Sequence, residues 1–123
     1  MKKINMLTLL SASVILIISV AFRPAPGTSS APTAIPDSVF AVFEKACITC
    51  HSNDGSGMAK GKLNFDKWDQ YSPEKQAAKA ADICKELSKS SMPPSGFRKN
   101  NPDLVPTDKE VTLICDWSKT LVK

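Results

Sequence analysis

The sequence lacks the alternation of apolar and polar residues that marks β-strands, and it lacks any basic run interleaved with aromatic residues. The first absence favours an all-α fold. The second leaves nucleic-acid binding without support. The formal net charge is only +4, and loss of Lys2 and Lys3 with the N-terminal segment would bring it closer to zero. Charge therefore identifies no partner.

The N-terminus has the pattern of a targeting segment. Lys2 and Lys3 precede an apolar run from Met6 to Phe22, and small residues near its end suit a cleavage site. This pattern predicts a signal peptide over residues 1–21 and a periplasmic protein. The run is shorter than the roughly 20 residues of a typical membrane span. An uncleaved membrane anchor is the alternative. A lipid anchor is not expected, because no cysteine lies near this segment to which a lipid could be attached.

Four prolines mark residues 22–36 as a linker. The folded domain is then expected at residues 37–123. A domain of this size usually needs a disulfide, a metal or a cofactor to stabilise it.

Three helices are predicted in this domain, at residues 37–46, from 72 up to the Met92-Pro93-Pro94 sequence, and at 107–122. Their expected starts are Asp37 as an N-cap, Ser72 as an N-cap with proline at the first helical position, and a capping box from Thr107 to Glu110. Apolar residues recur at three- and four-residue spacing along each of them. Between the first two helices, Leu63, Phe65 and Trp68 are expected to cover a cofactor surface.

Cys47-Ile48-Thr49-Cys50-His51 has the CxxCH spacing of c-type haem attachment. The two thiols would bond the two vinyl groups, and the histidine would ligate the iron. Export agrees with this prediction, because such haem is attached outside the cytoplasm. We predict a small cytochrome c-like helical domain around one covalent haem c.

Three alternatives to haem attachment remain open. A thioredoxin-like redox pair normally lies in a βαβ pattern, which is missing here. A zinc site formed by all four cysteines would lack a second close pair, because Cys84 and Cys115 are far apart in the sequence. The third alternative is two plain disulfides with His51 as a bystander.

His51 is the only histidine, so a second histidine cannot complete the iron coordination within one chain. Methionine is the usual alternative ligand. Met58 follows His51 so closely that the chain would have to wrap around the haem in a short loop. Met92 can approach independently, and the two prolines after it keep the backbone extended. We predict Met92 as the sixth ligand, with simple core packing as the alternative.

Cys84 and Cys115 lie on the apolar stripes of two predicted helices, in a compartment that keeps disulfides oxidised. We predict a bridge between them, worth roughly 3–4 kcal/mol in the chain-entropy model. Two separate buried thiols are the alternative.

Beyond CxxCH, the chain carries Leu63-Asn64-Phe65-Asp66-Lys67-Trp68, then Ser91-Met92-Pro93-Pro94, then Pro102 and a capped helix reaching Trp117. With these motifs it resembles the bacterial haem-binding-domain family of small c-type cytochromes over nearly everything after residue 36. The resemblance implies haem binding by Cys47, Cys50 and His51, with Met92 as the distal ligand. Two features depart from the family pattern: a Gly-rich stretch replaces aromatic residues after the motif, and Asn101-Pro102 replaces His-Pro.

Two functions follow from this prediction. The first, which we favour, is a monomeric, non-enzymatic electron carrier that passes one electron at a time to redox partner proteins through a His/Met-ligated haem. The second is a haem enzyme or gas sensor with an open or labile sixth position. The sequence shows no second histidine or carboxylate cluster for acid–base work, which favours the carrier. A structural zinc module is a third possibility.

Overall fold

The computed structural model describes residues 33–121, and all regular structure in that range is helical. The α-helices are α1 (Asp37–Ala46), α2 (Gly57–Lys62), α3 (Pro73–Ser88), α4 (Ser95–Asn100) and α5 (Asp108–Thr120), with 3₁₀ helices at Phe65–Gln70 and Pro102–Leu104. The predicted all-α fold is confirmed for this part of the chain. The predicted signal peptide and most of the predicted linker lie outside the described residues. Within 33–121, no helix has the length and hydropathy needed to cross a bilayer.

Local capping explains where two of the long helices begin. The Ser72 side chain accepts a hydrogen bond from the backbone of Lys75, and Pro73 occupies the first position of α3. At α5, Thr107 and Glu110 form the reciprocal capping box. At α1 the prediction is off by one residue, because Pro36 is the N-cap and Asp37 is already helical. The negative charge of Asp37 in the first turn is stabilised by the helix dipole.

The C-terminal end of α3 differs from the prediction. The helix stops at Ser88 rather than at the prolines, because Ser90 adopts a left-handed conformation with φ 54°. The backbone N–H groups of Ser90 and Ser91 then donate to the carbonyls of Leu87 (2.9 Å) and Glu86 (3.0 Å). This is the Schellman pattern, with serine in the position that glycine usually fills.

One core is formed by four elements, the helices α1, α3 and α5 and the 3₁₀ helix Phe65–Gln70. Phe43 is fully buried at its centre, with ring centroids 4.6 Å from Phe65 and 5.8 Å from Trp117. The other members of the buried cluster are Val39, Val42, Trp68, Ala80, Leu87 and Ile114. Trp68 therefore lies in the core and, unlike Phe65, does not line the cavity described below.

Two further contacts tie the fold together. A disulfide joins Cys84 of α3 to Cys115 of α5, with their Cα atoms 4.9 Å apart, in agreement with the predicted bridge. At the N-terminal edge, the Thr33 N–H donates to Gln76 Oε1 (2.7 Å) and the Thr33 carbonyl accepts from Trp68 Nε1 (3.0 Å). Gln76 is fully buried and donates in turn to the Trp68 carbonyl. The described chain is thus fixed to the core before α1 begins.

Candidate cofactor site

The CxxCH motif forms a helical turn directly after α1. The backbone N–H of Cys47 donates to the Phe43 carbonyl, and those of Cys50 and His51 both donate to the Cys47 carbonyl (3.0 Å each). Because the buried face of α1 is packed in the core, the position of the CxxCH turn that continues it is also fixed. The core helix therefore sets the direction in which the two thiols and the imidazole leave the backbone.

The imidazole of His51 has one ring nitrogen assigned by its surroundings. Nδ1 lies 3.1 Å from the carbonyl oxygen of Ala59 and 3.1 Å from that of Leu63. A carbonyl oxygen only accepts, so Nδ1 must carry the proton in the neutral ring. Nε2 then keeps its lone pair and is the nitrogen that can ligate a metal, with Nδ1 held as metal-bound histidines usually are.

The segment after α2 is hydrogen-bonded to the backbone of His51. The backbone N–H of Phe65 donates to the His51 carbonyl (2.9 Å). Asn64, only 3% exposed, donates from Nδ2 to Asn53 Oδ1 (2.9 Å) and accepts from the Asp66 backbone (3.0 Å). Asp66 closes the network by accepting from the Asn53 N–H (2.7 Å). The loop that follows His51 is therefore hydrogen-bonded, through Asn53, to the segment that begins at Leu63, whose carbonyl accepts from the His51 ring.

Gly55 allows this loop to turn back on the motif. A Cβ built on Gly55 would overlap the backbone carbonyl of Cys50, closer than a Cβ and a carbonyl oxygen come in proteins. Only glycine fits this close approach. Within the Gly-rich stretch, Gly55 is the position where the structure requires glycine, whereas Gly57 and Gly61 lie in α2 with open space around them.

A cavity of about 640 Å³ opens beside the motif, within the range of sites that hold drug-sized ligands and cofactors. Cys47, Cys50, His51 and Met92 all line it. Its apolar wall includes Ala46, Ala59, Leu63, Phe65, Ile83, Leu87, Pro93, Pro94 and Phe97, and its charged wall consists of Lys62, Lys79, Asp82 and Glu86. The structure thus brings together on one cavity all four residues predicted to bind the cofactor.

A family model described as haem-binding domain matches residues 57–120. The chain belongs to this haem-binding domain family. No curated protein and no solved structure matches it. The match covers Met92 and begins just after the CxxCH turn, so it supports haem binding independently of that motif.

The donor set of the cavity fits haem in this haem-binding domain. Two thiols, an imidazole with a free Nε2 and a thioether are the groups that proteins use to attach and ligate haem. The apolar wall matches the faces of a porphyrin. The expected use of Leu63 and Phe65 as cofactor-facing residues is consistent with their place in the lining.

The two candidate methionines are placed differently in the haem-binding domain. Met92 lines the cavity and is 40% exposed, whereas Met58, on α2, is 81% exposed and is absent from the lining. Met58 is therefore oriented towards solvent although its helix supplies part of the cavity wall. This placement supports the preference for Met92 as ligand.

The thiols do not fit a thiol–disulfide catalyst. Cys47 and Cys50 are unbridged in the structure. Burial, and secondly the neighbouring Cys50, raise the pKa of the Cys47 thiol to about 12. A thiol–disulfide catalyst needs a thiolate near neutral pH. The all-cysteine zinc site is also disfavoured, because the Cys84 and Cys115 sulfurs are used in their own disulfide.

The α3 wall of the cavity was missed at the sequence level. Lys79, Asp82, Ile83 and Glu86 are spaced by three or four residues and so share one face of the helix. Because three of these four residues are charged, the face does not form the apolar stripe by which a buried helix face is predicted. Two carboxylates consequently line a cavity for which the sequence indicated none.

Proposed function

We propose that this haem-binding domain is an exported monohaem c-type cytochrome that transfers single electrons between partner proteins. Cys47 and Cys50 would hold haem c by thioether bonds, and His51 and Met92 would ligate its iron. The observation that carries the proposal is the meeting of these four side chains on one cavity, with His51 Nε2 left free to ligate.

The residues around the cavity have distinct tasks in this proposal. The bound haem supplies a one-electron couple at its iron. The Ala59 and Leu63 carbonyls keep His51 in the tautomer that presents Nε2, and the thioether of Met92 would favour the reduced state of a bound iron. Leu63, Phe65 and Phe97 would present apolar surface to the haem. None of these tasks requires the chain to move on electron transfer, which suits a carrier.

Redox proteins are the partners we propose, and the protein acts as a monomer outside the cytoplasm. It would contact the membrane only if the N-terminal segment stays uncleaved. We propose no enzymatic activity of its own.

Covalent attachment is tested by a pyridine haemochrome spectrum together with the intact mass of protein made with haem-attachment machinery. We expect one haem per chain and an α-band typical of two thioether bonds. Cys47→Ala and Cys50→Ala should each shift that band, because one vinyl group stays unsaturated. An unmodified wild-type chain under these conditions would refute the proposal.

A haem enzyme or gas sensor is the second candidate. It is favoured by the partial exposure of Met92 and by Asp82 and Glu86, which place carboxylates on the cavity. The visible spectrum separates the two functions. A low-spin spectrum with little carbon monoxide binding supports the carrier, and a high-spin spectrum with ready carbon monoxide binding supports the enzyme or sensor.

A further inference from the structure

The segment that carries Met92 is attached to the end of α3. After Ser90 reverses the chain in its left-handed conformation, Ser91 and Met92 run back beside the last turn of the helix. Pro93 and Pro94 follow and have no N–H to donate. The segment 91–94 therefore has few hydrogen-bond donors, although Pro93 is buried and the Pro94 carbonyl accepts from the Arg98 N–H (3.0 Å).

Every hydrogen bond that residues 91–94 donate within the described chain ends on Glu86. The Ser91 N–H donates to the Glu86 carbonyl (3.0 Å), and the Met92 N–H approaches the same oxygen (3.4 Å). The Ser91 hydroxyl is shared between that carbonyl (3.0 Å) and the Glu86 carboxylate. A hydrogen bond to a charged acceptor is the strongest of these.

Glu86 also lines the cavity, from the same helix face as Asp82 one turn earlier. Asp82 makes no hydrogen bond to the segment 91–94 in the described structure. The two carboxylates therefore share a charge and a cavity but differ in their contact with the methionine-bearing turn. This difference separates an effect of position from an effect of charge.

We propose that Glu86 is a positioning residue that holds Met92 at the iron through Ser91. The inference rests on the proposed His51/Met92 coordination. An exposed turn loses conformational freedom when its methionine ligates, and the Glu86–Ser91 contact restricts that freedom in advance. Without the contact, an added ligand displaces Met92 more readily.

The test is imidazole titration of the oxidised full-length holoprotein, followed by loss of the weak charge-transfer band near the red end of the spectrum. Glu86→Ala and Ser91→Ala should each tighten apparent imidazole binding by about tenfold, the equivalent of one charge-assisted hydrogen bond. Glu86→Gln keeps a neutral acceptor for the Ser91 hydroxyl and should tighten imidazole binding less than Glu86→Ala does. Ser91 is exposed, so its variant does not disturb the core.

Asp82→Ala is the matched control: it removes the same charge from the same cavity wall and should tighten imidazole binding less than Glu86→Ala does. If Asp82→Ala and Glu86→Gln tighten binding as much as Glu86→Ala, loss of charge is responsible and the positioning role is wrong. Unchanged binding in both Glu86→Ala and Ser91→Ala would also overturn it.

Met92→Ala distinguishes this inference from the proposed function. It should abolish the band and let imidazole bind without competition. If Met92→Ala does so while Glu86→Ala and Ser91→Ala have no effect, only the inference fails. A wild-type holoprotein without the band, or a Met92→Ala variant that keeps it, overturns both.

Discussion

His51 and Met92 line the same cavity, but the chain holds them by different means. His51 leaves a turn that continues a core helix, its ring donates to two backbone carbonyls, and its loop is bound to the buried Asn64. Met92 is exposed, and every hydrogen bond that it and Ser91 donate within the described chain ends on Glu86. The comparison teaches that the His51 side is part of the folding core, whereas the Met92 side is an attachment to it. Substitutions on the first side should cost stability, and those on the second should mainly change how readily the proposed Met92 ligand is displaced.

The largest effect should come from Gly55. Gly55→Ala places a Cβ against the backbone carbonyl of Cys50, and neither group can move without breaking the loop behind His51. We expect the free energy of unfolding to fall by about 3 kcal/mol, measured by urea denaturation of the holoprotein. Gly61→Ala is the control, because open space surrounds its Cβ within α2 and a gain of up to about 1 kcal/mol is expected. Equal effects of the two variants would contradict the assigned loop geometry.

Asn64 should be second in magnitude. Asn64→Ala removes two part-buried hydrogen bonds made by a buried side chain and leaves an Asp66 N–H without its acceptor. The expected loss is about 2 kcal/mol by the same denaturation measurement. Asn100→Ala, at an exposed position of α4 on the Met92 side, should change little. A comparable loss at both sites would remove the distinction between the two sides.

Glu110 tests the support of α1, which delivers the CxxCH turn. Its carboxylate accepts from Lys45 Nζ (2.6 and 2.8 Å) across the α1–α5 contact. The Lys45 hydrogen bond, and then the Thr107 backbone, lower the pKa of Glu110 below its ordinary 4.5. A lowered pKa means that this stabilisation is fully present above pH 4.5 and is lost as the pH falls through the lowered value.

Glu110→Gln should therefore cost about 1 kcal/mol near neutral pH and little in acid, as measured by thermal unfolding across pH. Gln can still cap the helix, so the ion pair is what this variant removes. Asp116→Asn breaks the exposed Lys119 pair and should have no measurable effect. A cost for Glu110→Gln that does not decrease in acid would show that the ion pair is not its source.

Ser90 should give the smallest effect, and of opposite sign. Ser90→Gly removes a Cβ from a left-handed residue, and the relief is partly offset by the freedom of glycine in the unfolded chain. We expect a gain of about 0.5 kcal/mol, seen as a small rise in Tm. Ser90→Ala keeps a Cβ and should give no gain. If alanine stabilises as much as glycine, backbone conformation is not the cause.

Local signals predicted the parts of the fold that depend on neighbouring residues. The caps at Ser72 and Thr107 place two helix starts correctly, because a cap is decided within one helical turn. Helix α2 was missed, since two glycines in six residues give it poor helix propensity. The end of α3 was missed because serine rarely adopts the left-handed conformation of Ser90.

Long-range features were harder to predict. The spacing of CxxCH and the prolines after Met92 indicated the four cavity residues, since each signal lies within a short motif. The charged wall on α3, the Asn64 network and the Lys45–Glu110 pair join residues distant in sequence. Such contacts depend on how the helices pack, which one sequence does not reveal.

Thr33 has a mechanical consequence for the domain. Both of its backbone polar groups are held by side chains of Trp68 and Gln76 inside the core. A force applied to the chain on the N-terminal side of Thr33 would therefore be transmitted to Trp68 in the 3₁₀ helix and to Gln76 in α3 before it reached α1.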